Sequence, residues 1–236
     1  MEGFLIVHGM RFKRMLKRLL TTLLLVSSAG VPALAQEPMG EIAGMQWSGL
    51  FIGLQAGGLQ GEAHQFRAPV AGPAINQTID VDGGFIGGSI EYLWQSGNFI
   101  FGPQAELAGS DADGTTALGA SNFFTSEIEW FGSAGVKAGL ALDNLLLFGT
   151  AGFAFAGISS GQFNTFLART WSDVEVNTGY SVGGGLDLML QDGWVLGAEY
   201  RYYDFDGTDY GPANGFQLRT QGTDFHAISF RLRKKL

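Results

Sequence analysis

The feature that most constrains this chain is an alternation of apolar with small or polar residues, period two, recurring in segment after segment from Trp47 onward. Successive side chains leave a strand on opposite faces, so a period of two argues for strands. In 50–57, Leu50, Ile52, Leu54 and Ala56 share one face, and Phe51, Gly53, Gln55 and Gly57 the other. Ile86, Ile90, Tyr92 and Trp94 oppose Gly87, Ser89 and Glu91; Phe101, Ala105 and Leu107 oppose Gly102, Gln104 and Glu106. Ala134, Val136, Ala138 and Leu140 oppose Ser133, Gly135, Lys137 and Gly139. Tyr180, Val182, Leu186 and Leu188 oppose Ser181, Gly183, Gly185 and Asp187, and Trp194, Leu196, Ala198, Tyr200 and Tyr202 oppose Gly197, Glu199 and Arg201. His226, Ile228, Phe230 and Leu232 oppose Ala227, Ser229, Arg231 and Arg233.

One stretch, 138–156, is long and apolar enough to suggest a membrane helix. Asp143-Asn144 interrupts it as a tight turn between two strands, one ending near Leu142 and one beginning near Leu145, and arms of about ten residues are the length of a tilted membrane strand. It reads as a hairpin whose second arm, 145–155, is apolar on both faces and leaves its inward side open. The alternating segments then number eight. Tight connections at 95–98, 143–144 and 191–193 alternate with long polar ones near 59–78, 109–124, 157–177 and 204–222. Short turns at one end and long loops at the other predict an all-β fold: an eight-stranded antiparallel up-and-down transmembrane β-barrel.

The faces assign themselves by chemistry. Glycine supplies 37 of 236 residues, more than twice its usual ~7%, and it falls on the face opposite the large apolar side chains. Gly53, Gly57, Gly87, Gly102, Gly139, Gly183, Gly185 and Gly197 would line a narrow interior. Glu91, Glu106, Lys137, Asp187, Glu199, Arg201 and Arg231 would sit among them and must pair there, Arg201 and Lys137 with Glu199, Glu106 or Asp187. The aromatic residues mark two girdles: Trp47, Trp94 and Trp194 beside the short turns, and Trp130, Tyr180, Tyr200 and Tyr202 toward the long loops. Ile228, Phe230 and Leu232 face lipid, so Lys234 would lie at the interface and snorkel its amine to water.

The N-terminus reads as a cleavable signal peptide over 1–35, its start better placed at Met10 than at Met1. Arg11, Lys13, Arg14, Lys17 and Arg18 precede an apolar run, and Ala33-Leu34-Ala35 gives a small-x-small cleavage site. A short polar leader, 36–46, then precedes the barrel, 47–236. Cleavage would leave nine basic and 21 acidic residues, a net charge of −12. That balance excludes a nucleic-acid partner, which needs a basic face.

Chemistry-bearing patterns are few. The absence of cysteine removes disulfides and thiolate sites. Of the two histidines beyond the signal, His226 is three residues from Ser229 in a strand, so the two face opposite sides. No catalytic residue, cofactor site or metal site is assigned, and the chain reads as no enzyme. The pattern Asp-x-Asp-Gly recurs at 80–83, 111–114 and 204–207. It lacks the glycine position and closing glutamate of an EF-hand, and reads as acidic turn chemistry rather than a cation site.

The segments WSGLFIGLQAGG, GGFIGGSIEYLWQ, WFGSAGVKAGLAL, LFGTAGFAFA and YSVGGGLDLMLQDGWVLGAEYRYYDF, with the final strand, resemble the small outer-membrane immunogenic, porin-family proteins of alphaproteobacteria, which have an OmpA-type eight-stranded barrel. The resemblance covers 47–236. It departs where the family carries two inward basic residues in its fourth strand; Gly135 takes one position and Lys137 alone remains. The family also ends in an aromatic-x-Phe pattern, against Lys234 and Leu236 here. The resemblance implies a cell outer membrane location, outer-membrane lipid and lipopolysaccharide as surroundings, and a barrel assembly machinery that reads the last strand. The expected function is that of a monomeric structural barrel supporting the envelope and displaying acidic loops. The alternatives are a small channel or porin, and a surface-binding protein, an adhesin or a binder of a haem-type ligand, acting through its long loops.

Overall fold

The computed structural model describes residues 46–69, 75–118, 122–164, 171–207, 209–213 and 216–236. The proposed signal peptide and nearly all of the polar leader lie outside them. The described chain is almost wholly strand: β1 (Gly49–Pro69), β2 (Ile75–Ser96), β3 (Phe99–Leu118), β4 (Asn122–Leu142), β5 (Leu145–Asn164), β6 (Trp171–Met189), β7 (Trp194–Asp206), β8 (Asp209–Ala213) and β9 (Phe216–Lys235). Each of β1 to β6 pairs antiparallel with the next strand, β7 pairs with β9, the short β8 continues β7's register along β9, and β9 closes on β1. The result is a closed eight-stranded barrel, with β8 extending β7's edge along β9.

Closure carries a stagger. Following paired residues once around from Val81 on β2, through Gly61, Phe225, Tyr203, Ser181, Gly152, Gly135 and Gln104, returns to β2 at Glu91, ten residues along. A shear of this size around eight strands tilts them by about 40° and leaves an interior that side chains can fill.

The tight connections are where expected. Gly97 and Asp143 adopt positive φ (61° and 55°) in two-residue turns, and a 3-10 turn over Gln191–Gly193 joins β6 to β7. The other end differs from expectation. The segments read as long polar loops are largely strand: β3 runs 20 residues to Leu118 and β4 begins at Asn122. At 3.3 Å per residue and this tilt, such strands reach about 50 Å, roughly twice the ~25 Å apolar band of an outer-membrane barrel. The barrel wall therefore continues well past the bilayer.

That extension inverts the pattern along each strand. Nearer the short turns, the outward face is apolar: Phe153 is 82% exposed, Ile86 68% and Leu54 66%. Side chains of that size are so open only where lipid covers them. Farther along, the outward positions are Glu62, Asp80, Asp82, Asp111, Asp113, Asp204 and Asp224, and the inward ones are Leu59, Ile79, Val81, Ala112, Ile128 and Phe225. Polar outside and apolar inside is the logic of a barrel in water. The sequence signal inverted with it, so the alternation was read as loop polarity.

Two of the Asp-x-Asp-Gly patterns are likewise strand rather than turn. They lie in β2 and β3 and face one another, Asp82 paired with Asp113. A Cβ on Gly83 would come within 2.4 Å of the Ala112 backbone, and one on Gly114 within 2.1 Å of the Asp80 carbonyl. The glycines thus permit close approach of β2 and β3.

Candidate functional site

Inward-facing residues form three layers along the lumen. At the short-turn end, Trp47, Phe51, Leu93, Ile100, Leu146, Met189 and Val195 make an apolar floor. Trp47 corrects the expected girdle: it is 1% exposed, because the chain entering β1 folds across the barrel mouth. Its backbone N–H donates to Gln95 Oε1 at 2.7 Å and its indole N–H to the Asp143 carbonyl at 3.3 Å. A buried indole that satisfies its donor in this way acts as a stopper. Trp94 and Trp194 do face outward, 45% and 43% exposed, as do Tyr180 and Tyr200 nearer the other end.

The middle layer holds eight buried charges in two clusters. In the lower cluster, Lys137 Nζ lies 2.9 Å from Glu91 and 2.8 Å from Asp187, and 4.0 Å above the Phe148 ring. Arg233 pairs with both Glu91 and Asp187. In the upper cluster, Arg201 reaches Glu106 at 2.7 Å and Glu199 at 2.5 Å. Arg231 pairs with Glu199 and lies 3.8 Å from Glu106. The neutral rim completes the upper cluster: Ser133 donates to Glu106 at 3.1 Å, Thr150 to Glu199 at 2.9 Å, and the Tyr203 hydroxyl to Glu106. Four carboxylates face four cations, so the layer is neutral, and desolvation is offset by multiple charge-assisted bonds.

Strand parity therefore located the charged lumen; Arg201 pairs with Glu199 and Glu106 and Lys137 with Asp187 as expected, while Glu91, a second partner of Lys137, was not among the partners expected. Four contributors were missed. Arg233 shares parity with Arg231 but lies close to the C-terminus. Tyr203 followed Tyr202 in an aromatic run read as girdle, although the adjacent residue must face inward. Thr150 and Phe148 lie in the doubly apolar arm whose faces were left open; pairing of Lys137 with Thr150 and of Leu146 with Asp187 turns them into the lumen.

Above the charges, Phe131 packs edge-on against Phe85, Tyr203 and Phe225, with centroids 5.1–5.2 Å apart. Tyr203 and Phe225 stack at 4.7 Å. A remaining void among Gln55, Phe85, Glu106, Tyr203 and Ser229 amounts to about 10 Å³, room for about one water.

Outside the barrel, His226 and Ser229 face opposite ways as expected: His226 is exposed and bonded to the Tyr200 hydroxyl at 2.6 Å, whereas Ser229 is buried. His64 lies 3.6 Å from Asp224. Among the described residues, no three His, Asp or Glu side chains converge as metal ligands. Lys234 carries its amine to the Asp192 carbonyl, 5.2 Å over the Trp194 ring. That is the interfacial snorkelling its position implied.

With the geometry in place, comparison with known proteins is direct. Residues 21–232 match the model of the outer membrane protein beta-barrel domain. A 31 kDa outer-membrane immunogenic protein of Brucella melitensis is 29% identical over 206 residues, covering 80% of this chain and 83% of that one. A 22 kDa outer membrane protein of Rhizobium leguminosarum is 29% identical over 119 residues, 50% of this chain and 51% of that one. Among solved structures, the outer membrane protein OprG of Pseudomonas aeruginosa aligns with TM-score 0.47 at 12% identity, over 81% of this chain and 98% of that one.

Proposed function

The chain belongs to the outer membrane β-barrel family, with its place in the outer membrane, and from that premise we propose that it is a non-conducting structural barrel that braces the envelope. The observation that carries this reading is the filled lumen. An apolar floor under Trp47, a neutral layer of eight paired charges and an aromatic layer around Phe131 succeed one another along one axis. A hydrated ion moving along that axis would have to break buried ion pairs and pass two apolar layers. The wall beyond the bilayer, acidic outside and apolar inside, gives the family's surface exposure a rigid support rather than loose loops. Its role is to hold that acidic surface away from the membrane.

Liposome swelling tests the reading. Vesicles bearing the folded protein should swell in small sugars no faster than empty vesicles. Swelling that scales with protein content would replace the structural role with that of a porin.

A further inference from the structure

The eight lumen charges are divided unequally among the strands. The sheet β1 to β7 brings four carboxylates, Glu91 on β2, Glu106 on β3, Asp187 on β6 and Glu199 on β7, but only two cations, Lys137 on β4 and Arg201 on β7. The other two cations, Arg231 and Arg233, both come from β9, the last strand of the chain. Each spans the seam that β9 closes. Arg233 pairs with Glu91 on the β1 side and Asp187 on the β7 side. Arg231 pairs with Glu199 on the β7 side and faces Glu106, two strands beyond β1, at 3.8 Å. Without β9, the inner face of the sheet carries two excess negative charges, and each cluster is left with one cation for two carboxylates.

We propose that β9 closes the barrel electrostatically: Arg231 and Arg233 draw the last strand onto a net-negative seven-stranded sheet and fix its register. Opposite charges facing across a low-dielectric gap accelerate docking and penalise wrong pairings. A one-residue slip would turn both arginines to lipid. A two-residue slip that carries Arg231 to the level of Arg233 would put Ser229 in Arg231's place and leave the upper cluster short of a cation.

The test is refolding of the full mature chain from urea into micelles, timed by the heat-modifiable band. Wild type should close several-fold more slowly when ionic strength rises from about 0.01 M to about 1 M, as the Debye length falls from ~30 Å to ~3 Å. Arg231→Gln with Arg233→Gln should close more slowly by roughly an order of magnitude and lose most of that salt dependence. Arg231→Lys with Arg233→Lys keeps the charges without the forked geometry and should close at the wild-type rate, though less stable once closed. Lys137→Gln separates guidance from stability: it breaks the same lower cluster but leaves the sheet more negative, so closure should not slow. Salt-independent closure of wild type, a Lys double variant that closes roughly tenfold more slowly than wild type, or Lys137→Gln that closes roughly tenfold more slowly than wild type would each overturn the proposal. Should the Gln double variant fail to fold, the other three measurements decide it.

Discussion

Arg201 bonds Glu106, Glu199 and Ser133 at 2.5–2.7 Å inside the barrel, so its removal leaves two carboxylates short of a partner in a dry layer. Arg201→Ala should lower the unfolding free energy by roughly 3–5 kcal/mol, read from urea titration in micelles. An unchanged midpoint would mean that water reaches those carboxylates. Gly197 is a second sensitive position. A Cβ there would lie 2.2 Å from Asp187 Oδ1 and 3.2 Å from Arg233 Nη2, and neither group can retreat without breaking its ion pair. Gly197→Ala should cost about 1–3 kcal/mol. At Gly109 the same atom would meet nothing within 4 Å, so Gly109→Ala should fall within about 0.5 kcal/mol of wild type. Equal effects at the two sites would contradict the packed lumen.

At the scale of elements, each strand carries two signals in tandem, apolar outward in the bilayer and apolar inward beyond it. The inner half was legible in the sequence because large apolar residues alternate there with glycine and single charges, as in Trp194 to Tyr202. The outer half was not, because Asp80, Asp82, Asp111 and Asp113 look like loop polarity until their partners Val81 and Ala112 are seen facing inward. The doubly apolar arm in β5 carried no parity signal, and only its register with Lys137 and Asp187 assigns it. Trp47 was misread because a tryptophan at a strand end suits a girdle and a stopper equally. The outer half should be cohesive in its own right. Phe131→Ala, which empties the centre of the aromatic layer, should cost about 3–5 kcal/mol, measured by the same titration. The last strand makes a separate claim. Lys234 lies at the interface with its amine satisfied, so its cost to stability is small, about 0–1 kcal/mol. Lys234→Tyr with Leu236→Phe should raise the yield of assembled barrel in outer-membrane fractions while hardly moving the unfolding free energy. Equal yields would show that this terminus is not a weak assembly signal.

For the whole molecule, the central claim is that charge and shape close the lumen from end to end. A shear of ten around eight strands makes a tube narrow enough for side chains to meet across it. Glycines such as Gly53 and Gly197 leave room for Arg233 and Asp187, and eight charges neutralise one another where water is excluded. Single-channel recording in planar bilayers examines this most directly. Wild-type protein confirmed as folded should give no stepwise current across a range of voltages and salt concentrations. Steady, reproducible openings from the wild-type barrel would show that the charged layer is wetted and that the lumen is a pore.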